Sequence, residues 1–274
     1  MNHNKSEKKQ KIDPLILKEI NDVIKLNKKH NGPKKVNNNE GCIFNLTNVN
    51  KKYTNGYIVN HVLKDINIEI KEGEFVVILG KSGSGKTTLM NILSGLNRAT
   101  TGDVIVNGFN LTNLSNAELT SFRRKYVGYI FQEYGLLSTL NVYENVLAGY
   151  NLNKKGNNKS IVDETLKLVN LYDWRKKFPS ELSGGQQQRV AIARAIAKNP
   201  KIIFGDEPTG AVDSKMSKTI LKILKDINKK KNTTIVIITH DSNIAKIANK
   251  VFYVIDGVIQ NMTINENPLE PDQL

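Results

Sequence analysis

One cysteine in 274 residues, Cys42, leaves no partner for an intrachain disulfide and no cysteine cluster for a metal ion. No uninterrupted apolar run approaches the roughly 18 residues that a membrane-spanning helix needs, and the lysine-rich start lacks the apolar core of a signal peptide. These absences predict a chain that stays in the cytosol unless a partner holds it at a membrane. Acids are also scarce: 26 Asp and Glu stand against 40 Lys and Arg, for a net charge of +14. Such an excess invites a nucleic-acid or anionic-membrane reading. Lysine and asparagine are abundant throughout, however, including the loop 153–159, so the excess reads as a solvated surface, with anionic lipid as the alternative contact. A hydrophobic share of 39% and this length fit one large domain or two small ones with a proper core.

What is present is organised around residues 75–88. An apolar run, Phe75, Val76, Val77, Ile78 and Leu79, leads into Gly80, Lys81, Ser82, Gly83, Ser84, Gly85, Lys86, Thr87 and Thr88. Gly80, Gly85, Lys86 and Thr87 meet the pattern G-x-x-x-x-G-K-[ST], with a buried strand before it and a periodic helix (Leu89, Met90, Ile92, Leu93, Leu96) after it. The glycines let successive backbone N–H groups turn inward as an anion nest, and the helix adds its positive end. Lys86 is placed to reach the outer phosphates of a nucleotide, and Thr87 offers a hydroxyl to Mg²⁺.

Before this loop, residues 1–41 form a lysine- and asparagine-rich extension. Asp13 can cap a helix with Pro14 in its first turn and Ile16, Leu17, Ile20, Val23 and Ile24 on one face. That face either packs on the main domain or meets a membrane or partner. From Cys42 the pattern turns strand-like, through Phe44, Leu46 and Val49, then 57–62, then Ile66, Ile68 and Ile70. These short strands predict an antiparallel sheet extended by residues 103–106. Tyr53 follows the first of them in a loop, where it either stacks on an adenine ring or is an ordinary half-buried aromatic.

After the loop, a short helix at 116–119 leads to a β-like run, Tyr129, Ile130 and Phe131, that ends in Gln132. From 141 to 180 the spacing is helical, with Val142, Val146, Ile161, Leu166, Leu168, Val169 and Leu171 as core candidates. This predicts an α-helical subdomain, about 135–185, inserted in an α/β core. Ser183 can cap the next helix, and Gly184 and Gly185 allow a ligand close to its start. A buried strand then ends in Asp206 and Glu207, at the strand end where α/β sheets bind ligands. Asp206 is placed to hold Mg²⁺, and Glu207 to deprotonate a water. A further buried strand, 234–239, ends at His240, which would contact the γ-phosphate. Residues 251–259 read as a hairpin, and 261–274 as a loose polar tail.

Taken in this order, the elements resemble the nucleotide-binding subunit of ATP-binding-cassette (ABC) transporters over residues 43–260. The residues that carry the likeness are Gly80 to Thr88, Gln132, the segment Leu182, Ser183, Gly184, Gly185 and Gln186, the acidic strand to Glu207, Asp213 and His240. The resemblance implies a fold: a P-loop NTPase core with a parallel sheet, an antiparallel β-subdomain and the inserted helices. It also implies ATP hydrolysis with Mg²⁺ in a head-to-tail dimer, either of two copies or with a second ABC subunit. ATP on one subunit's phosphate loop is then covered by the other's Ser183, Gly184, Gly185 and Gln186. By the same likeness Tyr53 is the adenine-stacking aromatic, Gln132 a contact to Mg²⁺ and water, and Glu207 the base. The resemblance also implies separate transmembrane permease subunits that take up the stroke through the helical subdomain and the Gln132 loop, with this chain held at the cytoplasmic face of the cell membrane.

The run from Leu182 to Ala195, with Asp206 to Gly210 and Phe131 to Leu137, is similar to a subgroup holding macrolide exporters, lipoprotein-releasing ATPases and the cell-division ATPase FtsE. Gly205 stands where an alanine is usual and Val212 where a leucine is, and the lysine-rich arm has no counterpart. An FtsE-like regulator of a cell-surface hydrolase is the nearest alternative. A soluble ATPase acting on nucleic acid or ribosomes is less well matched, because neither a second cassette nor a long coiled coil is present. No nucleic-acid partner is therefore expected.

Overall fold

The uninterrupted apolar runs become strands covered on both faces. A computed structural model describes residues 14–28, 32–36, 41–153 and 158–274. In chain order the elements are α1 (Pro14–Lys28), β1 (Cys42–Thr54), β2 (Val59–Lys71), β3 (Phe75–Leu79), α2 (Lys86–Leu93), β4 (Thr101–Val106) and β5 (Phe109–Asn110). There follow α3 (Asn116–Tyr126), β6 (Val127–Ile130), α4 (Val142–Leu152), α5 (Ser160–Leu168), α6 (Gly184–Ala197), β7 (Ile202–Asp206) and α7 (Ser214–Lys231). The last are β8 (Thr234–Thr239), α8 (Ser242–Ala245), β9 (Lys250–Ile255) and β10 (Val258–Ile264).

Two sheets result. The first runs β2-β1-β4-β5 and is antiparallel; the second runs β10-β9-β3-β8-β7-β6 and is parallel except for its edge strand β10. In β3, Phe75, Val77 and Leu79 face one apolar core while Val76 and Ile78 face another; in β8, Ile235 and Ile237 oppose Val236 and Ile238 in the same way. A strand with both faces covered has no solvated side, so its sequence does not alternate. One core lies under α4, α5, α6 and α7, and the other lies between the second sheet, α2, α3 and the first sheet. Phe204, fully buried, meets Phe44 of the antiparallel sheet edge-on with ring centroids 5.9 Å apart.

Three expectations change. Residues 59–62 of the first strand-like piece and 66–70 are parts of one strand, β2, and β1 runs on through Thr54, so Tyr53 lies in a strand and not in a loop. The register shifts between Leu46 and Lys52, with Asn48 and Asp65 at left-handed φ of 50° and 47°; such bulges break the alternation a sequence reading relies on. The tail is docked, not loose. β10 extends to Ile264, Asn265 Nδ2 donates to the carbonyls of Ala245 (3.0 Å) and Ala248 (2.7 Å), and Leu269 and Leu274 pack on the core. Residues 135–185 contain α4 and α5, followed by 3₁₀ turns at Tyr172–Trp174 and Pro179–Glu181.

α1 forms where Pro14 and the apolar spacing put it, and it buries Ile20 and Val23, while Leu15, Ile16, Leu17, Ile24 and Leu26 stay exposed. The proposed cap Asp13 and the lysines before it lie outside the described residues. No helix among the described residues is long and apolar enough to cross a membrane.

Candidate functional site

The chain leaves β3 at Gly80 and doubles back through Gly83 and Gly85, at left-handed φ of 78° and 101°, before α2 starts at Lys86. A side chain has no room here: a Cβ on Gly80 would lie 2.3 Å from the Val254 carbonyl oxygen, and one on Gly85 3.0 Å from Leu63. Gly85 caps α2 without a side-chain bond, so the first N–H groups of the helix face the loop's concavity. Lys86 is nearly buried and arches over that concavity, its Nζ donating to the carbonyls of Gly80 and Lys81, both at 2.8 Å. Ser84 Oγ is buried there with no protein partner.

Across the loop, the parallel pairing of β7 with β8 sets Asp206 beside Ile238 and so brings the two strand ends together. Burial pushes the Asp206 carboxyl above the usual carboxylate range; neighbouring Glu207 adds to this and Lys86 opposes it. Glu207 follows at a left-handed φ of 45°, with its N–H donating to the Ile238 carbonyl at 3.0 Å. That turn aims its carboxylate back at β8. One oxygen accepts from the Thr239 hydroxyl at 2.9 Å; the other accepts from the His240 N–H at 3.1 Å and lies 2.8 Å from His240 Nδ1.

Lys81, Ser82, Gly83, Gly85, Lys86, Thr87, Thr88, Gln132, Asp206, Glu207 and His240 thus line one cleft of about 740 Å³, with Val62 and Ile238 as its apolar wall. The donors facing it suit Mg²⁺, since the Thr87 hydroxyl, the Asp206 carboxylate and the Gln132 amide all offer hard oxygen. The orphaned Ser84 hydroxyl and the crowded glycines fit a loop built round an oxyanion.

The remaining predicted residues lie outside that cleft. Ser183 caps α6: its hydroxyl accepts from the Gln186 N–H, and the Gln186 side chain accepts from the Ser183 N–H. A Cβ on Gly184 would be 2.7 Å from the Tyr134 hydroxyl, and one on Gly185 2.7 Å from Met216. Asp213 caps α7 through the Met216 N–H at 2.9 Å, so Met216 links the two segments. Tyr53 is partly exposed, accepts from Asn97 Nδ2 at 2.7 Å and has Lys51 Nζ 4.7 Å from its ring centre.

Sequence reasoning missed Thr239, although a hydroxyl ending a buried strand next to His240 was a usable signal. It also missed Gln188, buried, whose Nε2 donates to the Pro208 carbonyl at 2.7 Å and ties α6 to the turn after Glu207. Nothing distinguishes Gln188 among three consecutive glutamines.

The family model described as ABC transporter matches residues 63–210. A putative ABC transporter ATP-binding protein of Mycoplasma genitalium is 48% identical over 99% of this chain and 60% of its own length. Its Mycoplasma pneumoniae homolog is 49% identical over 95% of this chain and 56% of its own length. The chain therefore spans little more than half the length of these two relatives. The lipoprotein-releasing system ATP-binding protein LolD of Francisella tularensis is 41% identical over 82% of this chain and 98% of its own. Among solved structures, a dimeric post-hydrolysis state of the ATP-binding cassette MJ0796 with ADP and Pi matches at a TM-score of 0.76 and 39% identity, covering 82% of this chain and 99% of that one.

Proposed function

The chain belongs to the ABC transporter ATP-binding family, and from that premise we propose that it hydrolyses ATP and passes the resulting motion to separate membrane subunits. The observation that carries the reading is the Glu207 carboxylate, held on both oxygens one strand away from the Lys86 loop. Lys86 exchanges its two carbonyl partners for the outer phosphates, and the loop N–H groups and Ser84 take the remaining phosphate oxygens. Glu207 accepts a proton from the attacking water while the water oxygen bonds to the γ-phosphorus and the bond to ADP breaks. Thr239 fixes the direction of that carboxylate, and His240 is placed to turn toward the γ-phosphate. Thr87, Asp206 and Gln132 would hold Mg²⁺, which neutralises phosphate charge.

Ser183, Gly184, Gly185 and Gln186 lie off the cleft, which favours the reading that they serve the nucleotide of a second cassette; the relative MJ0796 crystallised as a dimer. Tyr53 would stack on the adenine, and Asp213 would stand near the dimer face. Beside Gln132 runs an apolar groove formed by Tyr129, Phe131, Leu137 and Leu152, the surface we assign to a cytoplasmic segment of the membrane subunits. That assignment puts the chain at the cytoplasmic face of the cell membrane as part of an exporter or a lipoprotein- or macrolide-type system.

Phosphate release from MgATP by purified protein tests the reading. Glu207→Gln is expected to lower the rate by about 10²-fold or more with nucleotide affinity retained. A variant that hydrolyses at the parent rate overturns the assignment of the base.

A further inference from the structure

A second cleft, of about 440 Å³, opens between the loop after α2 and the start of α3, and shares no residue with the nucleotide cleft. Three of its lining side chains are cations: Lys51, Arg98 and Arg123. No carboxylate lines it among the described residues. Each cation is instead held by neutral oxygens. Lys51, 5% exposed, donates through its Nζ to the Arg98 carbonyl at 2.8 Å. Arg98 donates to the Thr112 carbonyl and to Asn116 Oδ1, both at 3.1 Å. Arg123 donates to the Gly95 carbonyl at 2.5 Å and to the Thr120 hydroxyl at 2.9 Å. Glu118, the acid that acts on Arg98 electrostatically, is already bonded to the Ser115 N–H and to Lys34.

Neutral oxygens orient a cation without cancelling its charge, so three fixed positive charges share one cleft. Burial pushes all three groups below their ordinary pKa range; Glu118 opposes this only at Arg98, and no carboxylate opposes it at Lys51 or Arg123. Each side chain keeps N–H groups in excess of the bonds it makes, and two guanidinium forks match the spacing of a tetrahedral oxyanion. The wall is rigid as well, because Lys51 also packs on the Tyr53 ring and the lining residue Asn97 bonds the Tyr53 hydroxyl. We propose that this cleft is a second anion site, separate from the nucleotide loop, whose ligand is a phosphate group held by Lys51, Arg98 and Arg123.

The phosphate can belong to a free ion or ester or to a lipid headgroup, and two arms of one experiment separate them. In the first, inorganic pyrophosphate is titrated calorimetrically into protein saturated with ADP, so that the nucleotide loop is filled. The expected result is one further pyrophosphate per chain, weakened at least tenfold in the Arg98→Gln/Arg123→Gln double variant and kept in Arg123→Lys. Unchanged ADP affinity shows that the variants are folded. If ADP itself does not bind, the nucleotide reading fails, yet the pyrophosphate site is still read by its dependence on Arg98 and Arg123. In the second arm, co-sedimentation with phosphatidylglycerol vesicles is compared between that double variant and a control, Lys159→Gln/Lys231→Gln, which removes the same charge from exposed positions. A selective loss in the arginine variant identifies a headgroup as the ligand. Pyrophosphate and vesicle binding that are absent, or the same in parent, arginine variant and control, overturn the proposal.

Discussion

At the scale of single residues, the site sets charges where they cost stability. Asp206 has a folded-state pKa above its unfolded value, raised first by burial and then by Glu207. A carboxyl raised in this way favours folding fully below the unfolded value, near pH 4, and the contribution is lost as pH rises through the folded value. At neutral pH the ionised Asp206 therefore works against the fold. Asp206→Asn is expected to raise the melting temperature of nucleotide-free protein at pH 7 and to weaken Mg²⁺-dependent nucleotide binding. Calorimetric melting and a titration with and without Mg²⁺ check both; a lower melting temperature would count against the burial argument. The residues proposed to carry the chemistry were legible as candidates because each sits where a strand ends: Gly80 after β3, Glu207 after β7 and His240 after β8. The group that aims Glu207, Thr239, was passed over, because a threonine completing a β-branched run looks like ordinary strand filler and only its place beside His240 marks it.

At the scale of elements, polar segments prove better anchored than their composition suggests. The tail contributes exposed ion pairs, Lys229 with Glu270 and Lys222 with Asp272, and each is worth little in water. Its attachment rests on Asn265, which bonds two carbonyls around α8, and on Leu269, Pro271 and Leu274. Asn265→Ala leaves the Ala248 carbonyl without this partner, while Ala245 keeps the Ala248 N–H, and is expected to cost about 1–3 kcal/mol in urea unfolding. An unchanged midpoint would mean that the tail is dispensable.

α3 shows the same economy at its start. Ser115 and Glu118 form a reciprocal cap, and Lys34 from the N-terminal segment bonds the same carboxylate at 2.9 Å. The Ser115 N–H first, and Lys34 after it, hold Glu118 down to about 2 from an ordinary 4.5. A lowered pKa means that the contribution is present above the unfolded value and is lost as pH falls from about 4.5 through about 2. Glu118→Gln should therefore flatten that part of the stability curve, with faster amide exchange at 34–36 as the local readout. Register was the part of the fold that sequence could not supply. Bulges at Asn48 and Asp65 fuse three apparent strands into two, and neither residue type announces one.

At the scale of the whole molecule, the nucleotide cleft and the segment Ser183 to Gln186 lie on separate parts of one chain, and the proposed reaction needs them to meet in a dimer. Such an interface is isologous: two-fold symmetry sets the loop of each copy against the covering segment of the other, so each copy lends what its partner lacks. Hydrolysis by a mixture of two disabled variants tests this most directly. Lys86→Ala loses the phosphate contact; Ser183→Arg blocks the covering segment at the cost of a helix cap worth about 1 kcal/mol. Each variant alone is expected to be inactive. Mixed in equal amounts they form hybrid dimers with one intact site, carrying the loop of one chain and the covering segment of the other. ATP hydrolysis well above the sum of the two parents is the expected result. A mixture no more active than its components, while the parent protein hydrolyses ATP, would contradict a site shared between two chains.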